Sequence, residues 1–478
     1  MTTTLLWFDY ETFGRSPAWD RIAQFAGLRT DLELNPIEPP VTLLCRVADD
    51  YLPDPGACRI TGLAPADVAD GLPEHRFVRR ALEELGRAGT VSVGYNSVAF
   101  DDEFTRFAAH RSLEDPYAHE WRDGASRWDL LDVVRLTRAL RPEGIEWPVG
   151  DDGSATVRLE ALAAANGIEH GRAHDALSDV EATLGVARLV RARQPRLYEW
   201  CFAHRAKAAA RRLLDVRARP VLLLAAGTVP AARSHLAPIV PAVAHPTDRA
   251  ATVALDLATD PAELASLDAE EIRRRAFSPN EALGDEPRLG LRVVRANRCP
   301  ALAPLSVLRP EDAARLGLDP EALLARRARL ATLLEDPAFA AKLARAATRD
   351  WPAPDPHADV DDTLYGHGFL SREDRARLDA LLAGPPERLA RAPGGFDDAR
   401  LDERLWRYKA RNRPEALDED ERARWDAERA ARLGASEAPW RTLADFDREM
   451  TGVDWADVPD GARLRESLLA WRAAVAPR

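Results

Sequence analysis

The run Leu5-Leu6-Trp7-Phe8-Asp9-Tyr10-Glu11-Thr12 constrains this chain more than any other. Its unbroken apolar start predicts a strand over Thr4 to Thr12, covered on both faces as in an α/β sheet. Side chains two apart on a strand share a face, so Asp9 and Glu11 point the same way. Two carboxylates in a partly dry site repel, and burial penalises each charge. Such a strand end therefore belongs either in open solvent or around a cation that offsets the repulsion. On this segment alone both readings stand.

Further acids lie downstream. Val91 to Tyr95 reads as a short strand and Asp102 to Arg111 as an amphipathic helix with Phe104, Phe107 and Ala108 at helical spacing, which leaves Asp101 at the junction. Helix capping explains one acid there well, and Asp101-Asp102-Glu103 as a group less well. Leu159 to Ala165 and Ala176 to Val190 read as two more helices, the second stopping before Gln194-Pro195. His174 precedes Asp179 by five residues at the start of that second helix, and taken alone it reads more readily as a surface histidine. The order of the pieces carries more than any one of them. A strand Asp-x-Glu, a junction Asp about 90 residues later, then His-x4-Asp on a late helix is the set that two-metal phosphodiester hydrolysis requires. Four carboxylates hold two divalent cations roughly 3.5 to 4 Å apart, and an imidazole near neutral pKa takes a proton from the attacking water.

At 478 residues the chain is too long for one core. The α/β alternation ends near 195, giving a first domain over 1–195. Short β-rich runs at Pro220 to Leu224, Ala251 to Leu257 and Leu289 to Ala296 suggest a small barrel, and helices at Pro310 to Leu316 and Pro320 to Leu334 follow, giving a second domain over 196–349. Three prolines in Trp351-Pro352-Ala353-Pro354-Asp355-Pro356 mark a linker at 350–357. Helical patterns at Ser371 to Leu382, Asp398 to Lys409, Asp418 to Leu433 and Gly461 to Val475 make the remainder, 358–478, all-α.

Composition narrows the function classes. With 46% hydrophobic and 30% charged residues the chain is expected to fold. The longest apolar run, Val221 to Ala226, is far too short to cross a bilayer, and Met1-Thr2-Thr3-Thr4 does not open a secretory signal, so the expectation is a cytoplasmic protein away from membranes. Cys45, Cys58, Cys201 and Cys299 form no Cys-x-x-Cys, which argues for buried thiols rather than a disulfide framework or thiolate zinc. No Gly-Lys-Ser or Gly-Lys-Thr occurs, which excludes a Walker-type nucleotide site. The net charge of −12 hides a basic middle: residues 201–350 carry 23 bases against 18 acids. Within it, Arg205, Lys207, Arg211, Arg212, Arg217, Arg219, Arg233 and Arg249 face only Asp215 and Asp248. This island reads as a polyanion-attracting surface or as a solvated helix face.

The acid and histidine pattern resembles the DEDDh exonucleases and, within them, the bacterial exodeoxyribonuclease I family. The likeness runs over nearly the whole chain: Asp9 to Gly14, Ser126 to Asp132, Leu140 to Gly144, Ala165 to His170, Asn297 to Pro300, Leu308 to Asp312 and Tyr408 to Asn412. The resemblance implies a ribonuclease H-like exonuclease domain, an SH3-like β-barrel domain and an all-α C-terminal domain clamping a strand. It implies an enzyme that degrades single-stranded DNA from the 3′ end to 5′-mononucleotides in DNA repair and recombination. It assigns Asp9, Glu11, Asp101 and Asp179 to the metals and His174 to the base, with Asp102 and Asp175 as the neighbours most easily confused with them. Hard oxygen ligands suit Mg²⁺, as two ions, with Mn²⁺ able to substitute.

Phe13 and Trp128 are candidates to stack on terminal bases, or are core aromatics. The resemblance also implies docking of the acidic C-terminal tail of single-strand DNA-binding protein. Arg141 and Arg309 match the pocket arginines, whose forks suit a terminal carboxylate, although ordinary salt bridges in Arg-Pro-Glu turns explain them equally. Pro304 departs from the pattern, standing where a polar pocket residue is expected. A monomer is expected. A 3′ exoribonuclease and a scaffold without chemistry are the competing functions, and the second must account for all five reactive positions being filled.

Overall fold

The computed structural model describes the chain except residues 1, 151–152, 170, 172–174, 350–354, 356, 367, 391, 393 and 478, with 386 and 390 described by backbone alone. The predicted linker at 350–357 lies almost wholly outside the described residues.

The first region is a six-stranded mixed sheet. In chain order its elements are β1 (Thr4–Thr12), β2 (Ile22–Thr30), β3 (Val41–Arg46), β4 (Leu72–Pro73), α1 (Glu74–Leu85), β5 (Thr90–Gly94), α2 (Asp101–Arg111), β6 (Ser126–Asp129), α3 (Leu130–Leu140) and α4 (Ala176–Arg193). The strand order is β4-β3-β2-β1-β5-β6, with β1 antiparallel to β2 and parallel to β5. Lying centrally, β1 is covered on both faces. Leu5 and Trp7 pack with Leu130 and Val134 of α3 and Val180 and Leu184 of α4. Leu6, Phe8 and Tyr10 pack on the other side with Phe25, Phe77 and Phe104. Burial of each such side chain contributes about 1.5–3 kcal/mol, so the register of β1 is firmly set.

That register leaves the end of β1 without a neighbour on one side. β1 pairs with β5 only from Thr4↔Thr90 to Trp7↔Val93, and then β5 leaves. Gly94 permits the departure, because a Cβ there would lie 2.5 Å from the Cβ of Ser97. Asn96 comes next at φ 69°, a left-handed conformation Asn tolerates, and α2 begins at Asp101. The last residues of β1 thus run on beside an open gap.

The second region is a five-stranded antiparallel sheet of β7 (Leu222–Ala225), β8 (Leu236–Ala244), β9 (Ala251–Asp256), β10 (Leu291–Arg295) and β11 (Ala301–Pro304), in order β10-β9-β8-β7-β11. The sequence patterns account for β7, β9 and β10 and pass over β8 and β11. β8 is central and holds Pro238 and Pro241, which argue against an interior strand. The fold accommodates them: the Pro238 carbonyl accepts from Leu257 N–H at 2.8 Å, and a bulge falls between Pro241 and Val243.

The last region is helical, with Arg372–Leu382, Arg400–Asn412, Glu419–Leu433, Leu443–Gly452 and Gly461–Val475 as its longer helices. It shares a core with the first region, where Phe446, Leu464 and Leu468 meet Phe13, Tyr51 and Cys58. Ion pairs reinforce the contact: Arg411 bonds Asp50 at 2.7 Å and Asp361 at 2.6 Å. All four cysteines are buried free thiols. Among the described residues no helix is long and apolar enough to cross a membrane.

Candidate active site

The β1 face that carries Leu5 and Trp7 turns acidic at its end. Asp9 lies opposite Ala26 of β2 and Glu11 opposite Gln24, with an irregularity after Glu11. α4 packs along the same face and brings Asp179 in its first turn. Oxygens of Asp9, Glu11 and Asp179 all lie within 4.8 Å of one another.

Asp101 stands outside that set, in the gap left by β5, but near enough to raise the Asp9 and Glu11 carboxyls. Its Oδ1 accepts from Tyr10 N–H at 3.2 Å, satisfying a backbone donor of β1 that no strand covers. Thr105 Oγ1 donates to the Asp101 carbonyl at 2.9 Å and accepts from the Tyr10 hydroxyl at 3.1 Å, fixing the start of α2. The turn before it hangs on Asp129, whose carboxylate accepts from the N–H groups of Asn96 at 3.0 Å, Val98 at 3.1 Å and Leu131 at 2.9 Å.

The two neighbouring acids, Asp102 and Asp175, turn elsewhere. Asp102 is buried against Arg127 at 2.5 Å, and Arg127 also donates to the carbonyl of Asn297 in the second region. Asp175 caps α4, accepting from Ser178 N–H at 3.3 Å, with Gln24 at 3.4 Å. His174 lies outside the described residues.

The electrostatics are those of acids crowded in a dry place. Burial, then Asp101, Glu11 and Asp179, hold the Asp9 carboxyl well above the ordinary range. Glu11 is pushed up to about 8 by burial and then by Asp179, Asp101 and Asp175. Asp101 is raised by burial and by Asp102, against the lowering pull of the Tyr10 N–H. A divalent cation would supply the missing counter-charge, and an all-oxygen donor set fits a hard ion.

A pocket of about 700 Å³ opens on the cluster, lined by Asp9 and Asp179, by Tyr95 and Arg135, by 154–160, and by Ala231 and His235 of the second region. The Tyr95 hydroxyl donates to the Val157 carbonyl and pins that wall. Sequence reasoning missed Arg135 and His235. Arg135 sits on an ordinary amphipathic helix, bonding Asp132 at 2.6 Å, and His235 comes from another region, so neither carried a local signal.

Two expectations are corrected. Phe13 is 0% exposed within the core shared with the C-terminal helices, and Trp128 is 1% exposed against Tyr198 and Phe202. A base stacks only on an accessible ring face, so both are core aromatics. Arg141 and Arg309 do converge. Asp312 bonds Arg309 at 2.6 Å and Arg141 at 3.2 Å, while Arg309 also reaches Glu143 at 2.6 Å. Pro304 ends β11 opposite Leu222.

The chain matches three families in succession: Exonuclease over residues 6–187, Exonuclease I SH3-like domain over 205–346 and Exonuclease I C-terminal domain over 358–473. Exodeoxyribonuclease I of Escherichia coli (strain K12) is 43% identical over 424 residues, 88% of each chain. The crystal structure of E. coli Exonuclease I in complex with a dA16 oligonucleotide is similar at TM-score 0.91 and 40% identity, covering 99% of this chain and 100% of that one. An ExoI/SSB-Ct complex is similar at TM-score 0.89 and 39% identity, covering 100% of each chain.

Proposed function

Since the chain belongs to the exodeoxyribonuclease I family, we propose that it hydrolyses single-stranded DNA from the 3′ end, releasing 5′-mononucleotides, at the acid cluster on β1 and α4. The observation that carries this reading is the meeting of Asp9, Glu11 and Asp179, of which Asp9 and Asp179 line an open pocket.

The exonuclease domain implies dependence on a divalent metal. We take the ions to be two Mg²⁺, with Mn²⁺ able to substitute, held by Asp9, Glu11, Asp179 and Asp101. When bound, the metal activates a water and stabilises the departing 3′-oxygen. The protein residues supply the rest. Asp9 and Glu11 present their carboxylates on one rigid strand face, and Asp101 is held beside them by Tyr10 N–H. Arg135 and Arg158 line the pocket and offer positive charge to a phosphodiester. His174, five residues before Asp179, accepts the proton of the attacking water.

The C-terminal tail of a single-strand DNA-binding protein is the proposed partner, as in the ExoI/SSB-Ct complex. Arg141 and Arg309 already gather around the Asp312 carboxylate, and a tail carboxylate would take up the same forks. Arg309→Ala should lower affinity for such a tail peptide in a binding titration, and unchanged affinity removes that arginine from the site.

The deciding experiment incubates 3′-blocked and 5′-blocked DNA strands, duplex and an RNA strand with protein and Mg²⁺. Mononucleotides from single-stranded DNA with an open 3′ end, and none from the 3′-blocked strand, are expected. Equal digestion of RNA would favour the exoribonuclease alternative, since the 2′-hydroxyl is what separates the two substrates.

A further inference from the structure

One carboxylate on α2 joins all three regions of the chain. Glu103 Oε1 accepts from Arg106 at 2.7 Å and from Arg298 of the second region at 3.0 Å, while its Oε2 accepts from the Tyr365 hydroxyl of the C-terminal region at 2.5 Å. Arg106 also reaches the Tyr365 oxygen, at 3.3 Å. Two guanidinium groups and a phenol therefore converge on a singly charged acceptor with two oxygens. A DNA phosphodiester presents the same pattern through its two non-bridging oxygens, and arginine and tyrosine are among its usual donors.

Exposure separates this cluster from a structural ion pair. The Arg298 side chain and Tyr365 are each 47% exposed, so solvent reaches these two donors, while Arg106 at 9% and Glu103 at 15% lie deeper. The ion pair between Arg411 and Asp50, which ties the same C-terminal region to the first, has side chains only 3% and 1% exposed. An exposed pair is weak, and a polyanion that releases counterions on binding can displace it.

Arg298 also lines a cleft of about 1090 Å³ in the second region, together with Pro230, Arg292, Arg295 and, from the first region, Asp132. Asp132 and Pro230 of this lining are close in sequence to Arg135 and Ala231 of the active-site pocket. Arg298 of the same lining is the residue that bonds Glu103.

We infer that Glu103 occupies a phosphate site: its carboxylate rests on Arg106, Arg298 and Tyr365 where a phosphodiester of the single strand binds, and it gives way when the strand arrives. This rests on the single-stranded DNA reading and adds a contact point upstream of the reacting 3′ end. It also gives Glu103 a task in the free protein, since an anion in place keeps donors from three regions facing one point.

The test measures binding of a labelled single strand across a salt series with metal withheld, so that the strand stays intact. Arg298→Gln is expected to weaken binding about threefold to tenfold and to reduce the slope of log Kd against log salt by about 0.7, the share of one single-strand phosphate. Glu103→Gln, which removes the competing charge and keeps the shape, is expected to tighten binding about threefold to tenfold. Tyr365→Phe, which deletes one oxygen, is expected to weaken binding about twofold to fivefold, and it covers the case of a poorly folding Glu103 variant. An unchanged slope in Arg298→Gln, or looser binding by a folded Glu103→Gln protein, overturns the inference. Wild-type protein that digests no single strand with Mg²⁺ overturns the underlying reading instead, so the two failures are distinguishable.

Discussion

The molecule holds two clusters of buried carboxylates built from the same residue types with opposite outcomes. At the end of β1, Asp9, Glu11 and Asp179 share one small space, and burial together with mutual repulsion raises the carboxyls of Asp9 and Glu11. Between the first and last regions, Asp50, Asp359 and Asp361 are interleaved with Arg407, Arg411 and Arg432. There, too, burial is the largest influence and pushes the carboxyls up. The surrounding guanidinium groups outweigh it and hold Asp50 and Asp361 below their ordinary value. Burial alone therefore does not mark a functional acid. The distinction is whether the fold supplies the counter-charge itself or leaves it to be brought in.

Substitutions can break this comparison. Asp9→Ala or Asp179→Ala should lower Mg²⁺-dependent digestion by several orders of magnitude while single-strand binding persists, because metal positioning is lost and the strand-binding surface is not. Undiminished digestion by either variant refutes the assignment. His174→Ala should cost about 10² to 10⁴ in rate and flatten the pH profile, and a normal profile would count against its role as base. Asp361→Ala should do the reverse of the metal-site variants. It removes one buried partner of Arg411, which keeps Asp50, and of Arg407, which keeps Asp359, so denaturant melts should show a loss of up to about 3–5 kcal/mol, while the folded protein still hydrolyses DNA.

A pH series sharpens the contrast. Glu11 titrates near 8 in the folded protein against an ordinary 4.5, so the metal-free fold binds the extra proton between those values. Metal-free stability from this group should fall as pH rises through that window, and Mg²⁺ should restore it while releasing protons. Calorimetry in buffers of different ionisation enthalpy reads that release, and metal binding without it would show Glu11 to be already ionised. The ion-paired cluster has the opposite sign. Its contribution is present above the ordinary Asp value of 3.8 and is lost only as acid protonates Asp50 and Asp361 below it.

Sequence legibility tracked the range of the interactions. β1 was readable to its last residue, and so were Leu159–Ala165 and Gly461–Val475, because apolar periodicity is local. Asp9 and Glu11 were readable as a same-face pair for the same reason. β8 was not, since its two prolines are tolerated through a bulge and neighbouring strands that only the folded sheet reveals. Phe13 and Trp128 sit beside the acids in sequence, yet their rings turn into cores contributed by residues far along the chain. Asp129 lay inside a family-like run, but its role of holding three N–H groups depends on how β5 leaves the sheet. Arg411 finding Asp50 across 361 positions had no local trace.

The overhang of β1 beyond β5 has a consequence for how this protein fails. Both acids are borne by one strand whose side chains alternate, so a slip by a single position would swing Phe8 and Tyr10 into the metal site and drive Asp9 and Glu11 into an aromatic core. Partial misalignment has no half-active form. Chains that fold wrongly here are expected to be inert rather than sluggish, which keeps a degradative activity from leaking out of damaged copies.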